Sequence, residues 1–183
     1  MAIKTFAVGE VLTASDTNTY LNNGGLVYVT STTIGTAVSS VTVSNCFSST
    51  YDTYRIVVAN VGASASASIG FRIGTVSTGI YYGTWNYALY TASSQTVAGI
   101  NAATQFVFIL TDSGGPGTFS SFDIVNPYTT SYKMLFGSYY GRGYGGTFQG
   151  TCNSGTSQTG FTLVAETGTL TGGTVTVYGY RKA

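Results

Sequence analysis

The 183-residue chain carries 7 Lys and Arg against 6 Asp and Glu, a net charge of +1, and it contains no histidine. Near-neutrality offers no electrostatic handle on DNA, RNA or an anionic membrane surface. The lack of histidine removes Ser-His-Asp and Cys-His catalysis, zincin motifs and His-Cys zinc sites.

The first segment with a pattern is GEVLTASDTNTYLNNGG, residues 9–25. Thr13 followed by Asp16 fits a capping box, in which the Thr13 hydroxyl accepts the Asp16 N–H and the carboxylate bonds back. Ala14, Thr17 and Leu21 then recur at helical spacing, Tyr20 flanks them, and Gly24 is placed as a left-handed C-cap. The spacing predicts a helix of about two or three turns, too short to be stable alone in water, so it must rest on its own domain or on a neighbouring molecule. Residues 1–25 are read as an arm and residues 26–183 as the folded body.

From Leu26 onward the pattern is short strands separated by Gly, Ser, Asn or Pro. LVYVTSTTI (26–34), AVSSVTV (37–43), TYRIVVA (53–59) and SIGFRIG (68–74) come first. IYYGTWNYALY (80–90), TQFVFILT (104–111), TFSSFDIV (118–125) and SYKMLFGSYY (131–140) follow, then GTFQGTC (146–152), TGFTLVAE (159–166) and GTVTVYGYR (173–181). Several alternate with period two: Val41 with Val43, Tyr54 with Ile56 and Val58, and Val175 with Val177 against Thr174, Thr176 and Tyr178. The low-complexity ASASAS at 63–68 reads either as a strand of small residues or as an extended loop. No helical pattern separates these strands. The expected fold is therefore all-β, an antiparallel, jelly-roll-like β-sandwich with a short N-terminal helical arm.

Little chemistry is visible. Cys46 and Cys152 stand far apart in sequence, and two buried free thiols are expected, given that no secretory signal pattern is present. No apolar run is long enough to span a membrane. The acids of the body are Asp52, Asp112, Asp123 and Glu166; any two of them meeting across a sheet edge would make a glycosidase-type pair, although each also has a plain structural role at a strand or turn. Gly141 to Gly146 matches G-x-G-x-x-G in form, but TFQGTC follows it and reads as strand, where a dinucleotide site needs a helix. Catalytic residues, metal ligands and cofactors are expected to be none.

Two aromatic clusters remain. Tyr81, Tyr82, Trp85, Tyr87 and Tyr90 lie on one strand and are expected to serve mainly the core and subunit contacts. Tyr139, Tyr140, Arg142 and Tyr144, among glycines, are expected to form a flexible loop that faces a ligand.

Phe6, Gly9, Leu12, Thr13, Ala14 and Asn18 form the run F-x-x-G-x-x-L-T-A-x-x-x-N. This segment resembles the N-terminal segment of many tailed-bacteriophage virion proteins, where such a run precedes a β-rich body. FSSTYDTYRIVV (47–58) and LTGGTVTVYGYRK (170–182) are similar to the first and last strands of sandwich modules in phage fibre and decoration proteins. The resemblance covers both ends of the chain and implies a non-enzymatic virion structural protein. Its anchoring residues would be Phe6, Gly9, Leu12, Thr13, Asp16, Tyr20 and Leu21, and its partners other virion proteins. A homotrimer is implied, with the sandwich exposed to a host-surface glycan or protein, and no nucleic acid or inserted membrane. A fibre or tail-tip adhesin and a capsid cement protein are both compatible with it, and a glycan-active enzyme is the reading from another class.

Overall fold

A computed structural model describes residues 5–16, 25–111, 117–141 and 143–182. Among the described residues there are thirteen strands and one helical turn. The strands are β1 (Leu26–Thr33), β2 (Ser40–Val43), β3 (Thr53–Ala63), β4 (Ala67–Ile73), β5 (Tyr81–Leu89), β6 (Gln95–Ala103) and β7 (Phe106–Thr111). They continue as β8 (Thr118–Val125), β9 (Lys133–Tyr140), β10 (Tyr144–Cys152), β11 (Phe161–Ala165), β12 (Leu170–Thr171) and β13 (Thr174–Tyr180).

The strands form two antiparallel sheets. The larger has nine strands in the order β1-β13-β3-β8-β9-β10-β5-β6, with β12 paired to β3; the smaller runs β2-β11-β4-β7. The inner faces of the two sheets meet in an aromatic core. The Phe71 ring on β4 meets the Phe122 ring on β8 edge-on at 5.3 Å and lies nearly parallel to Phe161 at 5.1 Å. Tyr81 on β5 and Phe106 on β7 make a second edge-on pair at 4.8 Å. Each such ring, removed from water, contributes about 1.5–3 kcal/mol, with aromatic geometry adding to it. The architecture is sandwich-like and all-β.

Period-two alternation explains which residues enter this core. Tyr54, Ile56, Val58, Val175 and Val177 are all fully buried, as their alternation predicts, while Thr174 is exposed and Thr176 and Tyr178 are half-buried. Some glycines on the inner face serve as seats. A Cβ on Gly150 would stand 2.6 Å from the Tyr82 carbonyl oxygen and 2.7 Å from the Phe106 ring, so the aromatic core closes over that strand only because the side chain is missing. ASASAS resolves into the end of β3, a tight bend and the start of β4.

Two elements differ from the sequence reading. QTVAGINAA forms β6, an edge strand that the pattern did not reveal, because mixed Ala, Gly and Asn carry weak strand preference and its side chains are mostly exposed. Of the expected N-terminal helix, the single turn α1 (Ala14–Asp16) falls among the described residues, and Tyr20, Leu21 and Gly24 lie outside them. Its start does have the expected cap. The Asp16 N–H donates to Thr13 Oγ1 at 3.1 Å, and the Thr13 N–H donates to the Asp16 carboxylate at 3.2 Å.

Candidate functional site

Three regions carry the residues of interest: the arm, the β9–β10 hairpin and the outer face of the nine-stranded sheet. In the arm, residues 5–15 are exposed, including Phe6, Gly9, Leu12 and Thr13, and Asp16 is half-exposed. Val8 and Val11, at 108% and 78% exposure, also present apolar side chains to solvent. The segment therefore offers a capped turn and the exposed apolar side chains of Val8, Val11 and Leu12.

Most of the segment expected as a loop at 139–146 belongs to two paired strands. β9 runs through Tyr140 and β10 starts at Tyr144, with Gly146 paired to Tyr139 and Gly145 to Tyr140. Alternation along β9 sends Leu135, Gly137 and Tyr139 inward and Met134, Phe136 and Tyr140 outward. Tyr139 is consequently fully buried, its hydroxyl donating to the Asn86 carbonyl oxygen at 3.3 Å, and it cannot face a ligand. Tyr140 is 56% exposed, Tyr144 is half-buried and meets the Tyr87 ring at 6.3 Å, and Arg142 lies outside the described residues. In the other aromatic cluster Tyr81 is fully buried, Trp85 and Tyr87 pack against the core, and Tyr90 is exposed, in keeping with a mainly structural role.

The outer face of the large sheet holds a groove that needs the strand register to be seen. One rung across the strands runs Arg55–Asp123–Phe136–Gln149–Thr84, from β3 through β8, β9 and β10 to β5. The next runs Val57–Ser121–Ser138–Thr147–Asn86–Val97, ending on β6. Apart from Val57, the residues of both rungs line a depression of about 540 Å³. A second depression of about 560 Å³ adjoins it, shares Thr84, Phe136 and Gln149, and is bounded further on by Tyr82 and Met134. Phe136, half exposed, stands between them.

One end of the groove is electrostatically closed. Arg55 grips the Asp123 carboxylate with two hydrogen bonds, from Nε at 2.8 Å and from a terminal nitrogen at 2.7 Å. The Tyr180 hydroxyl donates to the same carboxylate at 3.0 Å, and the guanidinium stands 5.7 Å from the Tyr180 ring centre. The hydrogen bond to Asp123 raises the Arg55 pKa, and burial, aided by the Asp123 charge, raises that of Tyr180. Of the other acids, Asp52 pairs with Lys182 at 2.7 Å, Glu166 is exposed, and Asp112 lies outside the described residues. No group of three or more His, Cys, Asp or Glu side chains among the described residues could hold a metal ion.

Of two further buried features, one went unnoticed in the sequence and the other was expected from it. Lys133 is fully buried, and its ammonium group donates to the carbonyl oxygens of Thr129, Ser154 and Thr156 at 2.9, 2.6 and 2.7 Å. Its loss of solvent lowers its pKa. The signal was present, since period two places 133 on the same face as Leu135 and Tyr139. Cys46 and Cys152 are both buried free thiols, and burial pushes the Cys46 thiol up to about 12. No helix among the described residues is long and apolar enough to cross a membrane.

Comparison of the chain with protein-family models, with curated proteins and with solved structures gives no match.

Proposed function

We propose that the chain is a non-enzymatic structural protein of a tailed-bacteriophage particle, a short fibre or tail-tip adhesin held by its N-terminal arm with the sandwich facing the host surface. The observation that carries this reading is the arm itself. A capped turn preceded by exposed Phe6, Val8, Val11 and Leu12 has apolar surface to bury and too little length to fold alone, which suits docking on another protein. The F-x-x-G-x-x-L-T-A-x-x-x-N run coincides with this segment.

We also read the strand order as a jelly roll: β1-β13-β3-β8 faces β2-β11-β4-β7, and the β9–β10 and β5–β6 hairpins extend the first sheet. That architecture serves viral shell and lectin domains alike, so it supports the reading without deciding it. A weakly charged body has little repulsion to keep it monomeric, in keeping with a trimer.

Deleting residues 1–24 tests the anchor. The truncated protein is expected to keep its β-sheet circular dichroism and cooperative melting while failing to enter particles during infection. Incorporation at the level of the full chain would refute it. Counting copies on intact particles by electron microscopy separates the tail position, a few dozen or fewer, from a capsid cement protein present in hundreds.

A further inference from the structure

The geometry points to the outer-face groove, rather than the β9–β10 hairpin, as a binding site for a neutral oligosaccharide. The inference rests on the recognition half of the reading above and not on its anchoring half.

Charge excludes the commoner ligands first. Arg55 and Asp123 are the ionisable residues that line the groove, and they neutralise each other in a two-pronged pair, so nothing there selects a phosphate, a sulfate or a cation. Peptide addition to the sheet is also closed off. The floor consists of β8, β9, β10 and β5, each paired on both sides, so their backbone groups are spent in the ladders and only side chains remain to bind.

Those side chains suit a sugar. Ser121, Ser138, Thr84 and Gln149 make no side-chain hydrogen bonds among the described residues, and hydroxyl and carboxamide groups both donate and accept, as sugar hydroxyls do. Asn86 is already oriented: its Oδ1 accepts from the Thr147 N–H at 3.2 Å and from the Thr147 hydroxyl at 3.3 Å, which aims its NH₂ elsewhere. Phe136 supplies a half-exposed aromatic surface in the middle of the groove for the C–H face of a pyranose ring. Strands spaced at about 4.8 Å put Arg55 and Thr84, four strand intervals apart, about 19 Å from each other, which is room for several sugar rings in a row.

The test uses the purified full chain on an array of neutral and acidic oligosaccharides, followed by calorimetric titration of the best neutral binder. Phe136→Ala and Gln149→Ala are each expected to weaken binding about tenfold, the loss of one good contact, whereas Tyr140→Ala on the hairpin leaves it within about twofold. Both groove substitutions are of outward side chains, and unchanged melting confirms that the variants fold. A blank array, a preference for acidic glycans, affinity retained in both groove variants, or affinity lost in Tyr140→Ala would overturn the proposal. A blank array with arm-dependent particle incorporation would sink the saccharide site alone. Saccharide binding without arm-dependent incorporation would sink the anchor alone.

Discussion

Lys133→Met asks whether the buried ammonium group holds two loops together. Methionine keeps an unbranched apolar stem, one atom shorter, and removes the donors. Hydrogen bonds from a charged group contribute about 1.5–3 kcal/mol each, so three of them lose about 4.5–9 kcal/mol, towards the lower end because two of the acceptors are partly buried. Against that, the variant no longer has to strip water from an ammonium ion, which returns several kcal/mol. The Ser154 carbonyl is the deciding group. It is the buried acceptor of the three, and leaving it unpaired costs about 1–3 kcal/mol by itself, while the Thr129 and Thr156 carbonyls recover some hydration. The net expectation is a loss of about 2–4 kcal/mol, or about 4–16 °C in Tm for a chain of this size. Urea unfolding and thermal melting both read it. Hydrogen exchange localises it, because the Gln158 N–H that bonds to the Pro127 carbonyl at 3.0 Å joins the same two loops and should exchange faster. A variant within about 0.5 kcal/mol of the parent would refute the reasoning, since desolvation would then cancel the three bonds.

Gly150→Ala is expected to cost about 1–3 kcal/mol by overpacking against the Tyr82 carbonyl and the Phe106 ring, whereas Gly143→Ala, with nothing within 4 Å of its Cβ, should melt within about 1 °C of the parent; equal melting of the two would refute the seat. Stability should fall as pH rises from about 9 towards 12. In that window the unfolded chain ionises Cys46 at its ordinary 9.0 while burial holds the folded thiol neutral, and the buried Tyr81, Tyr139 and Cys152, also raised, add to the same slope. The lowered Lys133 works in the opposite direction but is one group against these. A Tm unchanged up to pH 11 would contradict this. Neither thiol should react with a disulfide reagent at pH 8 until denaturant is added, when both should.

Most of the strands could be read from the chain because burial on one face writes period two into the sequence. The TYRIVV and TVTVYGY segments carry that pattern without interruption. β6 could not, since on this edge strand Ala98, Ile100 and Ala103 are only half-buried and its small side chains leave little alternation to read. Tyr139 was misplaced for a related reason: glycines at 141, 143, 145 and 146 suggested a loop, although the alternation through Leu135 and Gly137 already sent Tyr139 inward. The groove is a different case. Its first rung joins Arg55, Asp123, Phe136, Gln149 and Thr84, residues whose order in space departs from their order in the chain. Seeing it requires the strand order and register, which a lone sequence does not contain.

The placement of the groove bears on how anchoring and recognition could share one small domain. The arm joins the body at Leu26 on β1, an edge strand of the large sheet. Phe136 lies on β9, four strand intervals away, or about 19 Å at the usual spacing. On the jelly-roll reading, β9, β10, β5 and β6 are additions to one sheet, and the smaller sheet has only four strands to cover nine. The added hairpins thus extend a surface on the side of the sheet remote from the point where the arm enters. A protein held at β1 would keep the groove open. The same geometry makes a sharp demand on the proposed trimer: subunits that pack through the outer face of β9 and β10 would bury Phe136 and Gln149. Crosslinking from a cysteine placed at Gln149 in a Cys46→Ala, Cys152→Ala background decides between these arrangements. Efficient crosslinking between subunits would mean that the groove is an interface, and its absence in a confirmed trimer would leave the groove facing solvent.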